Sequence, residues 1–218
     1  MKNFTRLLII NIIVIVILIG GGAAGYYYYD QATHYVKTDN AAVSGQVISV
    51  ASPASGKLVN WSAAEGRTFD ANETIGDVET MGADGKKVEA AVKMPQKATI
   101  ALSNTTKNAF AAAGTQLAQA YNLNELYVTA NVDENAIEKV KKGQKVDLKI
   151  DAFPDTVFTG KVEKIGTATA ATFSLIPGSN SNGNYTKVAQ VIPVRISIDD
   201  YKGNDLLPGM NVTVKIHI

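Results

Sequence analysis

The sequence predicts a mainly β chain: one N-terminal transmembrane helix, a thin duplicated β sandwich, then a small β-barrel with one short helix. Three observations carry that prediction. Residues 7–24 form an apolar run in which Asn11 is the one strongly polar member. Residues 50–78 recur as residues 92–120 at one constant offset and without a gap. From Leu123 onward, short stretches alternate apolar and polar residues between turn signals at Gly143, Pro154-Asp155 and Pro208-Gly209, the mark of half-buried strands.

Taken in order, Lys2 and Arg6 precede the apolar run, and Tyr26 to Tyr29 follow it. As a helix the run would be about 27 Å long, close to the hydrocarbon thickness of a bilayer. Flanking cations favour the cytoplasmic side, and amphipathic tyrosines suit the far interface, so residues 1–29 read as a cytoplasmic start and a membrane span. The remainder would then be extracytoplasmic. A cleaved signal peptide is the competing reading, because Gly20 to Gly25 supplies small residues after the apolar stretch. Asp30 to Lys37 reads as a polar linker, with residues 30–46 leading into the sandwich.

The sandwich itself is expected over residues 47–122. In the register of the duplication Pro53 meets Pro95, Leu58 meets Ile100, Gly66 meets Asn108, Asn72 meets Gly114, and Ile75 meets Leu117. Gly66, Asn72, Asn108 and Gly114 are the informative positions, since Gly and Asn most readily take positive φ in tight turns. Turn geometry is repeated where side-chain identity is not. A unit this small cannot bury a core alone, so two copies covering one another is the expected arrangement. Between them, residues 79–87 hold two glycines and an Asp-Gly step but no heptad, which predicts no more than a β-turn.

Residues 123–218 make the predicted barrel. Asp133 is placed to cap a short helix from Glu134 to Lys142, with Gly143 as its stop. Strands follow at 146–150 and 157–162. Phe173, Ser174, Leu175, Ile176 and Pro177 lead a polar loop of Gly, Ser and Asn, and Asn184, Tyr185, Lys187 and Gln190 belong to its return. That apolar leader either packs under its own barrel or forms a partner or subunit contact.

Composition excludes several classes. The chain has 218 residues, a net charge of +1 and no cysteine, so disulfides, thiolate metal sites and a cysteine nucleophile are ruled out, and nothing points to nucleic acid. His34 and His217 stand far apart in the sequence and make a poor metal site. There is no Gly-x-Ser-x-Gly elbow, no phosphate loop and no His-Glu-x-x-His motif, so no catalytic residue or cofactor is expected.

These motifs carry a resemblance. The duplicated apolar-Pro-Gly-apolar pattern resembles the biotinyl/lipoyl-type (lipoyl-like, barrel-sandwich hybrid) fold. Thr38-Asp39, Val43-x-Gly45, Val140-x-x-Gly143-Gln144-x-Val146 and the closing Leu207-Pro208-Gly209-Met210-x-Val212-x-Val214 resemble membrane fusion proteins of the HlyD and EmrA type. Residues 172–196 resemble the EmrA-type subfamily. The family relation implies a single-pass adaptor in the cell membrane, part of an export or multidrug efflux system. It would assemble as a homo-oligomer with an integral membrane exporter, of major facilitator type by preference and of ABC type as the alternative. It also implies that a coiled-coil hairpin common in the family is missing at residues 79–87. By the same resemblance, that suggests an envelope with no outer-membrane channel to reach. Carrier domains of the lipoyl type attach a cofactor at such a turn, but Gly85-Lys86-Lys87-Val88-Glu89 does not match their lysine motif. The other functional class left open is an anchored extracytoplasmic module that binds a ligand or cell-wall component.

Overall fold

The computed structural model describes residues 2–82, 85–173 and 190–218. Its elements, in chain order, begin with helix α1 (Lys2–His34) and strands β1 (Tyr35–Thr38) and β2 (Ala41–Ser44). Next come β3 (Val47–Ala51), β4 (Gly56–Trp61), β5 (Thr68–Phe69), β6 (Thr74–Met81), β7 (Lys87–Lys93), β8 (Ala98–Ser103), β9 (Phe110–Ala111) and β10 (Gln116–Tyr121). They are followed by β11 (Tyr127–Asp133), helix α2 (Glu134–Ile137), β12 (Lys145–Ile150), β13 (Val157–Ile165), a 3-10 turn (Ala170–Phe173), β14 (Val191–Ser197) and β15 (Val212–His217). Residues 1–41, 129–202 and 211–218 form one compact unit, and residues 42–128 with 203–210 form a second.

In the second unit the duplication is a physical repeat with an offset of 42 residues, the distance from Gly66 to Asn108 and from Asn72 to Gly114. Strand β4 maps onto β8 and β5 onto β9, residue for residue. Each copy, however, does not make a sheet of its own. One sheet has the order β3-β10-β8-β5 and the other β7-β6-β4-β9, so each copy sends its first and third strands into the sheet built on its twin. The two copies thus cover one another by exchanging strands between two sheets.

Backbone hydrogen bonds explain it. Strands β5 and β9 are only two residues long and have no ladder of their own, so they are held by the other copy through Thr68↔Thr99, Phe69↔Ala98 and Gly56↔Ala111, Lys57↔Phe110. The turns before and after them do the same. Gly66 N donates to Ile100 O at 2.8 Å and Asn108 N to Leu58 O at 2.7 Å. Asn72 N donates to Met94 O, and Gly114 N to Ser52 O, both at 2.8 Å. These four donors have φ of +80°, +72°, +64° and +79°, the left-handed geometry that turns the N–H toward the twin copy and that Gly and Asn tolerate best.

One continuous core lies between the two sheets. It includes Val50 and Val92, Leu58 and Ile100, Ile75 and Leu117, and Phe69, Val78 and Met94. Every one of those side chains is almost fully buried. Trp61 packs on its margin and donates from Nε1 to Ser103 Oγ at 3.0 Å. Trp61 and Ser103 are themselves equivalent residues, so the internal two-fold relation runs between them.

The first unit contains most of a seven-stranded sheet of order β1-β15-β12-β13-β14-β11-β2. Residues of the expected linker are in fact structured. Asp30 to His34 complete α1, and Tyr35–Thr38 pairs antiparallel with β15, with buried Val36 opposite Ile216. Alternation of Val36 with Lys37 is enough for a short strand when a partner edge is present. The expected helix over 134–142 is also shorter. Asp133 takes the N-cap position without a side-chain cap bond, and only Glu134–Ile137 is α-helical. Lys139 N to Ala136 O and Val140 N to Ile137 O then wind the chain in tighter i→i+3 steps toward Gly143, which has φ +90°.

Helix α1 is a single element of 33 residues. Among the described residues no helix is long and apolar enough to cross a membrane. Described side chains on α1 begin at Asn11, part-way into the apolar run, and Ile12 to Ile19 are each about half exposed or more.

Candidate interaction surfaces

The residues expected to make partner contacts fall in two groups. Phe173 closes the 3-10 turn Ala170–Phe173. Ser174, Leu175, Ile176, Pro177, Asn184, Tyr185 and Lys187 lie outside the described residues. Gln190 is half-buried, and its carbonyl accepts from Glu134 N at 3.0 Å, which ties the loop's return to α2. Gly66, Asn72, Asn108 and Gly114 stitch the two copies together, as shown above, and do not form a ligand-facing cluster.

Nothing in the described geometry resembles an active site. No group of three or more His, Asp or Glu side chains among the described residues could hold a metal. His217 Nε2 lies 2.8 Å from Asp147 Oδ2, and His34 Nδ1 lies 3.0 Å from Asp30 Oδ1, so each histidine is engaged by one carboxylate. Tyr35 packs edge-on to His217, and Lys215 Nζ sits 3.6 Å from the centre of the Tyr35 ring. The β1–β15 pairing, rather than any sequence spacing, brings both histidines to the end of α1. Ile218 N donates to His34 O at 3.0 Å.

The distinctive surface lies on the duplicated sandwich, and it appears only when its two outer faces are compared. At five equivalent outward positions the β7-β6-β4-β9 sheet carries Lys57, Asp77, Glu79, Glu89 and Lys93. The β3-β10-β8-β5 sheet carries Thr99, Gln119, Tyr121, Val47 and Ala51 there. Alternating burial along β3 places Val47, Ser49 and Ala51 outward, and the β10–β8 pairing adds Leu102 opposite Gln119. One face is therefore charged and the other has no charge across its strands. The charged face knits itself with Lys87 Nζ to Glu79 Oε1 at 3.0 Å and Asn60 Nδ2 to Asp77 Oδ2 at 3.1 Å. The uncharged face bonds its polar groups to one another. Gln116 Nε2 donates to Ser49 Oγ at 2.9 Å, Gln119 Nε2 to Gln116 Oε1 at 3.3 Å, and the hydroxyls of Thr68 and Thr99 are 2.8 Å apart.

Both sheets also carry exposed apolar side chains, Val47 and Leu102 on the uncharged face and Val88 on β7. On the charged side Phe110, 76% exposed, and Met81, 70% exposed, line an open cleft of about 350 Å³ with Lys57 and Glu79. Beside the uncharged face lies an open cleft of about 350 Å³ lined by Thr99, Ala101, Tyr121, Leu123, Leu207 and Pro208, among others. Sequence reasoning missed this asymmetry, although reading charge at alternate positions of the two aligned copies would have found it.

Among the described residues the chain combines a β-sandwich of two exchanged half-motifs with a small β-sheet unit. The sequence profile of the YknX-like beta-barrel domain matches residues 126–216. A putative efflux system component of Bacillus subtilis is 42% identical over 214 residues, 98% of this chain and 94% of that protein. The colistin resistance protein EmrA of Acinetobacter baumannii is 52% identical over 96 residues, which cover 44% of this chain but only 27% of that longer protein. Among solved structures, ZneB from Cupriavidus metallidurans superposes with a TM-score of 0.62 at 16% identity, covering 84% of this chain and 99% of that one. The periplasmic adaptor protein EmrA does so at 0.56 and 12% identity, covering 84% and 98%. At those identities the superpositions speak for the fold alone. The near-full-length relative settles the family: this chain is a member of the membrane fusion protein family of efflux adaptors, whose members are structural rather than enzymatic.

Proposed function

We propose that the chain is the membrane-anchored adaptor subunit of an export system, which assembles with an integral membrane exporter and guides substrate outward without making or breaking a bond. The observation that carries this is the 98% coverage by an efflux system component at 42% identity. An adaptor works by shape and contact, and two compact β units suit that task.

Anchoring is part of the proposal. Residues 7–24 lie inside α1, their described isoleucines and valines face outward, and Lys2 and Arg6 favour a cytoplasmic N-terminus. The helix runs straight into β1, so the β units would stand at the outer surface of the cell membrane. The EmrA-like residues 172–196 favour a major facilitator exporter over an ABC transporter. Where longer relatives in the family carry a hairpin, this chain closes β6 to β7 with a tight turn in which Gly82 N donates to Lys86 O at 2.8 Å. That supports an adaptor acting at a single membrane. Residues 47–122 and 123–218 serve as the sandwich and barrel parts of it, and Phe173 to Pro177 with Asn184, Tyr185, Lys187 and Gln190 serve as a contact with the exporter or a neighbouring subunit.

The test is co-purification of the tagged full chain with an exporter encoded beside it, from mild detergent, combined with drug susceptibility of a deletion strain. Rescue by the full chain but not by one lacking residues 1–29 is expected. A chain that purifies alone, from a strain whose efflux is unchanged by the deletion, would refute the adaptor reading.

A further inference from the structure

We propose that the lysine-rich outer face of strands β1, β15, β12 and β13 is a lipid-binding surface, which lies on the phosphate headgroups of anionic phospholipids around the tether. The inference rests on the anchored-adaptor reading for the tether alone. Its motive is a set of neighbours that folding by itself disfavours. Register places Lys37 directly opposite Lys215, Lys145 opposite Lys161, and Lys164 opposite Arg195. Like charges directly opposite on adjacent strands repel and weaken a sheet. An anionic surface laid across them removes that repulsion.

Alternating burial fixes which way these lysines point. Val36, Val146, Leu148, Phe158, Val214 and Ile216 turn into the core, so Lys37, Lys145, Lys149, Lys161 and Lys215 turn outward. Carboxylates on the same face are already engaged: Asp147 Oδ2 lies 2.8 Å from His217 Nε2, and Glu163 Oε2 accepts from Arg195 Nε at 2.9 Å. Among the described residues, the ion pairs do not include Lys37, Lys145, Lys149 or Lys161.

The kind of cation favours lipid over the exporter. Lysine is depleted from protein–protein interfaces and arginine enriched, because the planar guanidinium fork fixes a partner's geometry. Here Arg195 is held by Glu163, and the remaining cations are point charges on flexible stems, which match a fluid layer of phosphates. Position agrees with this. Tyr35 follows directly on α1 and pairs with His217, so Lys145 and Lys161 lie toward the helix end of the sheet, while Asp151 and Asp155 occupy the turn at the other. Residues 25–34 carry an upright α1 about 15 Å past the apolar run. A headgroup layer of about 6 Å and a Debye length of about 8 Å span nearly all of that distance.

The chain has no cysteine, so Thr159→Cys, opposite Asp147 on this face, gives a single site for a fluorophore. The labelled full-length chain is reconstituted in vesicles of phosphatidylcholine, with or without phosphatidylglycerol, that contain a lipid with a nitroxide headgroup as quencher. Several-fold stronger quenching with phosphatidylglycerol is expected, and it should vanish in molar salt. Equal quenching in the two compositions overturns the proposal. Combining Lys37→Gln, Lys145→Gln, Lys161→Gln and Lys215→Gln should reduce quenching to the phosphatidylcholine level, with a melting temperature at or above the parent's because the opposed charges are gone. Unchanged quenching overturns the proposal, and so does a lowered melting temperature, which would make the lysines structural. Lost co-purification of this variant with the exporter, where quenching had not depended on lipid charge, assigns the face to the exporter and also overturns it. Alkaline carbonate extraction separates the two readings. A chain stripped from the vesicles refutes the anchor, whereas quenching that still depends on phosphatidylglycerol upholds the lipid-binding face.

Discussion

Leu58 and Ile100 occupy equivalent places in the two copies of the half-motif, and both are almost fully buried. Lys57 and Thr99, one residue earlier on the same two strands, are equivalent as well and share no chemistry. At Val50/Val92, Leu58/Ile100 and Ile75/Leu117 the copies stay apolar because both line one core, whereas Phe69 and its equivalent Ala111, or Met94 and its equivalent Ser52, are buried with different sizes that the shared core balances. Outside they have been free to diverge, and the divergence falls on charge. A duplicated domain thus carries its own control: whatever differs between equivalent positions is not demanded by the backbone.

That comparison can be broken most forcefully in the core. Leu58→Ala and Ile100→Ala should each cost about 2–5 kcal/mol in urea unfolding, and the two losses should be similar. A large disparity would show that the copies do not share the core equally. A sharper asymmetry is expected at Gly56 and its equivalent, Ala98. A Cβ on Gly56 would stand 2.1 Å from the Glu79 carbonyl oxygen, whereas Ala98 already holds one in a buried site. Gly56→Ala should therefore destabilise by about 1–3 kcal/mol, and Ala98→Gly by about 1 kcal/mol or less. Equal and small effects would mean that strand β4 shifts without cost.

Turns come next. Asn72→Val and Gly114→Val should each lower stability by about 1 kcal/mol or more, since a β-branched residue is strained at positive φ. Melting curves that match the parent would remove these sites from the set of stitches. The smallest change in stability belongs to the outer face. Each of Val47→Glu, Ala51→Lys and Gln119→Asp should stay within about 0.5 kcal/mol of the parent in thermal unfolding. A large loss there would show that the uncharged face is needed for folding.

The duplication was legible in the sequence because positive φ restricts a position to Gly or Asn even where neighbouring side chains drift. Strand exchange was not legible. An offset shows that two segments are alike, but it is silent about which sheet receives a two-residue strand such as Thr68–Phe69. The short strand Tyr35–Thr38 was read as linker because Val36 alone marks its buried side, and its partner Ile216 is at the other end of the chain. Residues 134–142 looked like a longer helix because a cap candidate and a glycine stop were both present. Without a cap bond from Asp133, one turn is all that forms. Charge on alternate positions was readable throughout, yet it acquires meaning only once the register assigns Glu79 and Tyr121 to matching places on two different sheets.

The exchange of strands makes the turn between β6 and β7 an unusual place in the sandwich. Both flanking strands lie in the same sheet and pair with each other up to Met81 and Lys87, so their ladder ends where the turn begins. A segment of any length spliced in there would leave every interlocking bond in place, and so would a cut. Cut chains should stay clasped like two linked hooks. Growth or loss of an appendage at this one point can therefore change how far such a protein reaches without disturbing how it folds.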